Sequence, residues 1–120
     1  MHCSAGWPSP AEDYVEDTLD LHSYAVRNQT ATYFLRAGGD SMTGAGIFQG
    51  DILVVDRSLN IIPGKVVIAA IEGEVTVKRL VKRGNRLFLS PENSTYAPID
   101  ITGRDDVVFW GVVTNVLHRL

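Results

Sequence analysis

Gly38-Gly39-Asp40-Ser41-Met42, together with Lys78 in Glu74-Val75-Thr76-Val77-Lys78-Arg79-Leu80, is the sequence around which the rest of the chain is organised. Two glycines before Ser41 allow a sharp backbone turn that would expose the serine hydroxyl and the neighbouring N–H groups. A serine hydroxyl is a weak nucleophile and needs a base within hydrogen-bond reach. Without such a base, Ser41 is more simply explained as an ordinary turn residue.

A histidine is the usual base, but His2, His22 and His118 lie near the ends of the chain and suggest no triad with an aspartate. A lysine can replace histidine if burial keeps its amine neutral. Lys78 follows Ser41 by 37 positions (78 − 41 = 37) in an apolar, strand-like run. Strand alternation alone favours a solvated Lys78, because its side of the strand also carries charged residues.

Most of the chain after residue 30 has strand signals. Runs at 31–36, 51–55, 66–71, 74–82, 87–89 and 107–117 are rich in β-branched and aromatic residues. Glu72-Gly73 is a two-residue hairpin signal, and Pro63-Gly64 and Gly84-Asn85 are further turns. We predict a flexible connector at 43–46, an irregular loop at 91–98, and a short helix over 21–26 capped by Asp20.

Seven short motifs in this order resemble the LexA/UmuD family of self-cleaving serine-lysine peptidases, and within it UmuD and the MucA-type proteins. The resemblance runs from Gly6 to the C-terminus and is closest to UmuD in the segment that begins Gly6-Trp7-Pro8. The motifs are Ala5-Gly6, Gly39-Asp40-Ser41-Met42, Gly50-Asp51-Ile52-Leu53-Val54-Val55-Asp56, Val66-Val67-Ile68-Ala69-Ala70, Gly73-Glu74-Val75-Thr76-Val77-Lys78-Arg79-Leu80, Pro91-Glu92-Asn93-Ser94 and Gly111-Val112-Val113.

The resemblance implies a mostly β fold, with twisted antiparallel sheets and one or two short helices. Residues 1–29 would form an N-terminal arm that carries the cleavage site and a possible short helix, and residues 30–120 the peptidase domain. Ser41 would be the nucleophile and Lys78 the base, with the backbone N–H groups of Asp40 and Ser41 as oxyanion donors. Met42 would line the substrate site, and the cut would fall between Ala5 and Gly6.

By the same resemblance, the chain would be a DNA-damage (SOS) response protein, active without a cofactor or metal. A RecA filament on single-stranded DNA would stimulate self-cleavage. The processed homodimer would then act as a subunit of an error-prone translesion polymerase with a UmuC/MucB-like Y-family partner. The alternatives are the C-terminal half of a LexA-like repressor, a signal peptidase without its anchor, and an inactive β module used for dimerisation.

Composition agrees with one small domain in the cytoplasm. The 120 residues are 45% hydrophobic and 21% charged, and no apolar run reaches the roughly 18 residues of a membrane span. The single cysteine, Cys3, excludes an internal disulfide framework and a cysteine-based zinc site. Residues 1–30 carry five acidic residues against Arg27, a net −4, so the other 90 residues sum to +1 of the total −3. Direct, sequence-specific DNA binding is therefore not expected.

Overall fold

The computed structural model describes residues 19–120, which form one short helix and a single seven-stranded antiparallel sheet. The strand order is β1-β2-β7-β3-β4-β5-β6. The mostly β architecture predicted from the sequence is confirmed. The elements are α1 (Leu21–Ala25), β1 (Thr32–Arg36), β2 (Ile52–Asp56), β3 (Val66–Ile71), β4 (Glu74–Arg83), β5 (Arg86–Ser90), β6 (Ile99–Asp100) and β7 (Val108–Leu117).

The hairpin that carries Lys78 forms as predicted. Ile71 of β3 lies opposite Glu74 of β4, so only Glu72 and Gly73 make the turn. Both have positive φ, 52° and 80°, as a type I′ turn requires, and this turn matches the right-handed twist of the strands. The tight turn fixes the register that places Lys78 opposite Val67, near the middle of the sheet.

Strand β7 lies inside the sheet, between β2 and β3. Val112 to Leu117 pair with β2, and Val108 to Val112 pair with β3. The change of partner takes place at Gly111, where a Cβ atom would lie 2.8 Å from a methyl carbon of Val55. Among residues 19–120, the stretch from Val108 to Trp110 has no strand partner on its β2 side, and the stretch from Val113 to Leu117 has none on its β3 side.

Two apolar clusters form the core. The first contains Val67, Ala69, Leu80, Leu89 and Val112, and the second contains Ala37, Met42, Ile47, Leu53 and Ile68. Alternate residues of β3 belong to different clusters, as expected when both sides of a strand are buried. The second cluster reaches from the sheet to the segment that carries Ser41 and so supports that segment.

Three local predictions need correction. The connector at 43–46 is an ordered 3₁₀ turn over Thr43–Ala45, because the N–H of Gly44 donates to the carbonyl of Glu92 at 2.7 Å. Helix α1 is capped by the Asp20 side chain as predicted, but it ends at Ala25 rather than at residue 26, and Leu21 and Tyr24 on it are both exposed. Strand β6 is not predicted from the sequence, because a strand of two residues is too short to show an alternating pattern.

Candidate active site

The structure brings Ser41 and Lys78 into direct contact. The Nζ of Lys78 donates to the Oγ of Ser41 at 2.9 Å. The same nitrogen donates to the hydroxyl of Thr76 at 2.7 Å and to the carbonyl of Val77 at 3.1 Å. These contacts hold the amine at the end of a long, otherwise mobile side chain in one position beside the serine.

Lys78 is half-buried, and burial lowers the pKa of its amine below the ordinary lysine value. Desolvation disfavours the charged form of a lysine, and no neighbouring charge contributes to this pKa among the residues that the structure describes. Alternation favoured a solvated side of β4, but Leu80 on that same side is buried. The amine therefore occupies an environment suited to a base that is neutral at a lower pH than other lysines.

A cavity of about 170 Å³ opens in front of the two residues. Its walls come from four strands, β1 to β4, and from the loop that follows β1. Its lining includes Leu35, Ala37, Gly38, Leu53, Ile68, Val75 and Thr76 besides Ser41 and Lys78. Arg36 also lines it, so the lining is mixed polar and apolar, and the small volume fits a short side chain or a glycine beside the serine.

Two backbone N–H groups at Ser41 have no acceptor within the described part of the protein. Among residues 19–120, the N–H groups of Asp40 and Ser41 donate to no protein acceptor. Gly39, just before them, has φ 75°, a conformation that glycine adopts without strain. Amide donors that face a developing oxyanion stabilise the transition state of acyl transfer.

Met42 does not line this cavity. Its side chain is 2% exposed and packs in the second core cluster with Ala37, Ile47 and Leu53. The expectation of a substrate-lining role is therefore wrong. The buried side chain of Met42 instead anchors the backbone directly after Ser41 to the core.

Two of the basic residues near Lys78 are held in ion pairs. Arg79 is only partly exposed and binds the carboxylate of Glu92 and the carbonyl of Gly64. Arg86 pairs with Asp100. Lys82 and Arg83 are exposed and have no such pairing among the described residues.

Sequence reasoning missed the two features that surround the dyad. Thr76 was treated only as a strand residue, although its position two residues before Lys78 places it on the same side of β4. The loop at 91–98 was treated as irregular, but Asn93 and Tyr96 bind Asp40. No local signal identifies these two contacts, because they join residues 53 and 56 positions apart.

The cleavage site at Ala5 and Gly6 lies outside the described residues. Within residues 19–120, no helix has the length and apolarity to cross a membrane, and no three histidine, cysteine or acidic side chains are grouped to hold a metal ion.

Comparisons with known proteins identify a family. The sequence profile described as "Peptidase S24-like" matches residues 1–114. Protein ImpA of Salmonella typhimurium is 48% identical over 121 residues, covering 98% of this chain and 79% of its own length. Protein MucA of Escherichia coli is 49% identical over 115 residues, covering 95% and 78%. A LexA repressor from Anaeromyxobacter is 39% identical over 119 residues, covering 98% of this chain and 52% of the repressor.

Proposed function

The chain belongs to the Peptidase S24-like family, as a UmuD/MucA-type member, and we propose that Ser41 and Lys78 are the dyad with which it cuts its own Ala5–Gly6 bond. The observation that carries this proposal is the 2.9 Å contact between the Lys78 amine and the Ser41 hydroxyl. The lowered pKa of the amine supports it, because only a neutral lysine accepts a proton.

In the first step, Nζ of neutral Lys78 takes the proton of Ser41 as Oγ attacks the carbonyl carbon of Ala5. The negative charge that develops on the carbonyl oxygen is stabilised by the N–H groups of Asp40 and Ser41. The ammonium of Lys78 then gives its proton to the nitrogen of Gly6, and the peptide bond breaks to leave an ester between Ala5 and Ser41. Lys78 activates water in the same way to hydrolyse that ester.

Thr76 and the carbonyl of Val77 orient the base for this step. A neutral amine has two N–H donors and one lone pair. With one N–H given to the Thr76 hydroxyl and the other to the Val77 carbonyl, the lone pair is left to face Ser41. The serine then donates to the lysine, which is the direction that proton transfer needs.

The biological role follows from membership of the UmuD/MucA branch. Self-cleavage would serve as a switch in the DNA-damage response, started by a RecA filament on single-stranded DNA. The processed protein would act with a UmuC/MucB-like Y-family polymerase in mutagenic translesion synthesis. A LexA-like repressor role is the alternative, but identity to the LexA repressor is 39%, against 48% to ImpA.

We expect a RecA filament to accelerate the cut. Full-length chain is incubated near neutral pH with RecA, ATP and single-stranded DNA, and intact mass is followed over time. The proposal predicts a product that begins at Gly6, formed much faster than without the filament. A Ser41→Ala chain treated identically is the control. No acceleration, or an equal product from the control, would contradict the proposal.

We also propose that the processed chain forms a homodimer through the free edge of β7. Val108 and Trp110 are exposed there, and they line a cavity of about 440 Å³ with Tyr33, Arg57 and Phe109. An unpaired strand edge beside exposed apolar side chains favours pairing with an identical edge, related by two-fold symmetry.

Sedimentation at micromolar concentration tests this interface. We expect a dimer of the 13.1 kDa chain, and we expect Val108→Lys to shift it toward monomer because two lysines would face each other at the edge. Leu21→Lys is a matched control, since Leu21 is similarly exposed but lies in α1, outside the sheet. A wild-type chain that sediments only as a monomer would contradict the proposal.

A further inference from the structure

We propose that loop 91–98, here called the bracing loop, positions the oxyanion donors of this site, with Asn93 and Tyr96 as positioning residues. The inference rests on the proposed function of Ser41 and Lys78 and adds residues that do not touch the substrate. The bracing loop forms hydrogen bonds with both residues that would supply the donors, Asp40 and Ser41.

Asn93 makes the shorter of two hydrogen bonds that set the direction of the Ser41 N–H. The side-chain amide of Asn93 donates to the carbonyl oxygen of Asp40 at 2.9 Å, and the N–H of Thr43 donates to the same oxygen at 3.4 Å. This carbonyl and the N–H of Ser41 belong to the same planar trans peptide unit, in which C=O and N–H point in opposite directions. By holding the carbonyl of Asp40, Asn93 fixes the Ser41 N–H so that it points away from the bracing loop.

That direction is the useful one, because the reacting groups lie on the other side. Asn93 and Tyr96 are not among the residues that line the cavity in front of Ser41. The loop therefore contacts the nucleophile segment from behind. A donor aimed away from Asn93 is aimed away from the wall and toward the space where the carbonyl oxygen of a bound peptide would lie.

The peptide unit after Ser41 is held by the same loop. The N–H of Glu92 donates to the carbonyl of Ser41 at 2.8 Å, and the carbonyl of Glu92 accepts from the N–H of Gly44 at 2.7 Å. Gly44 permits this approach, since a Cβ there would lie only 2.6 Å from the oxygen of Glu92. Both peptide planes that flank Ser41 are thus fixed before a substrate arrives.

Tyr96 restrains the side chain of Asp40. Its phenol hydroxyl donates to the carboxylate of Asp40 in a short hydrogen bond, which raises the pKa of Tyr96. The carboxylate of Asp40 is thereby turned toward the loop and kept away from the free N–H groups. A mobile carboxylate could otherwise occupy the oxyanion position or repel the charge that forms there.

Arg79 connects the bracing loop to the strand that carries the base. Its guanidinium binds the carboxylate of Glu92 and the carbonyl of Gly64, and it follows Lys78 directly in β4. The residue that holds the Ser41 carbonyl is therefore tied to the residue beside the lysine. This link keeps the base and the nucleophile segment at a constant separation.

The test compares two alanine variants in the same loop. Asn93→Ala removes the bond to the Asp40 carbonyl. Thr95→Ala removes a bond to the Asn93 side-chain oxygen, 2.8 Å long, but leaves the Asn93 donor in place. Tyr96→Phe is a third variant that removes one hydroxyl and keeps the ring. Each full-length chain is assayed for self-cleavage across pH, and its folded fraction is checked by thermal unfolding.

We expect Asn93→Ala to lower the plateau rate, which is the constant rate reached at high pH, by about 10- to 100-fold. This loss does not exceed the roughly 10²- to 10³-fold loss that follows removal of one oxyanion donor. The pH at half-maximal rate should not move, because Lys78 keeps its surroundings. Tyr96→Phe should lower the plateau by a smaller factor at the same pH midpoint, and Thr95→Ala should cleave within about twofold of wild type. A merely structural role would instead reduce the folded fraction and affect Asn93→Ala and Thr95→Ala alike.

Several outcomes would overturn the inference. One is a wild-type plateau rate for Asn93→Ala, and another is a loss of rate in Thr95→Ala equal to that in Asn93→Ala. A third is a shifted pH midpoint for Asn93→Ala, which would mean that Asn93 acts on the base. Ser41→Ala and Lys78→Ala are measured in parallel. If they still cleave, the proposed function fails; if they are inactive and Asn93→Ala is unaffected, only the bracing role fails.

Discussion

Ser41→Ala and Lys78→Ala are each expected to lower the rate of self-cleavage by at least about 10³-fold, because removing either member of a nucleophile–base pair disables the unit. Lys78→Arg should be equally inactive, since a guanidinium stays protonated and cannot act as a base. The rates are measured on full-length chains by the loss of intact protein, after circular dichroism has shown that each variant is folded.

Histidine variants are the matched controls for this result. His22 is exposed in α1, and His118 contacts the buried carboxylate of Asp51 at 2.6 Å, away from Ser41. We expect His22→Ala to behave as wild type. His118→Ala should lower stability, because it leaves Asp51 without that partner, but the folded protein should keep its cleavage rate. Loss of cleavage in a folded histidine variant would indicate a different base.

The second large effect is the dependence of the rate on pH. Only neutral Lys78 accepts the Ser41 proton, so the rate without an activator should rise with pH and become constant once most of the amine is deprotonated. Burial lowers the pKa of Lys78, which moves this rise below the roughly 10.4 of an ordinary lysine. A histidine base would give a constant rate above its ordinary pKa of about 6.5.

Side-chain NMR of labelled lysines measures the same group directly. We expect the Lys78 signal to titrate below the roughly 10.4 of an ordinary lysine, with a midpoint that coincides with the midpoint of the rate. A Lys78 signal that titrates at or above that value would show that burial does not prepare the base.

Local signals were sufficient to predict much of the fold. The hairpin at Glu72-Gly73 and the cap at Asp20 depend on residues adjacent in sequence, and both form as predicted. The change of strand partner within β7 was not predictable in the same way. It depends on how closely Gly111 can approach Val55 in another strand, which a single sequence does not display.

The candidate site also combines features that the sequence predicts with features that depend on tertiary packing. Ser41 and Lys78 could be proposed from motif and spacing, but alternation along β4 indicated the wrong environment for the lysine. Its burial comes from tertiary packing, where the segment that contains Ser41 covers the middle of β4. The contacts of Asn93 and Tyr96 with Asp40 arise from the same packing, so only the structure shows them.

The identity of the bond that is cut, and its dependence on Lys78, test the central claim most directly. Full-length wild-type and Lys78→Ala chains are incubated across alkaline pH without RecA, and intact mass spectrometry identifies the products. The account predicts a wild-type product that begins at Gly6 and increases with pH, and no such product from Lys78→Ala. A Lys78→Ala chain that is cut between Ala5 and Gly6 with the same pH curve would contradict it.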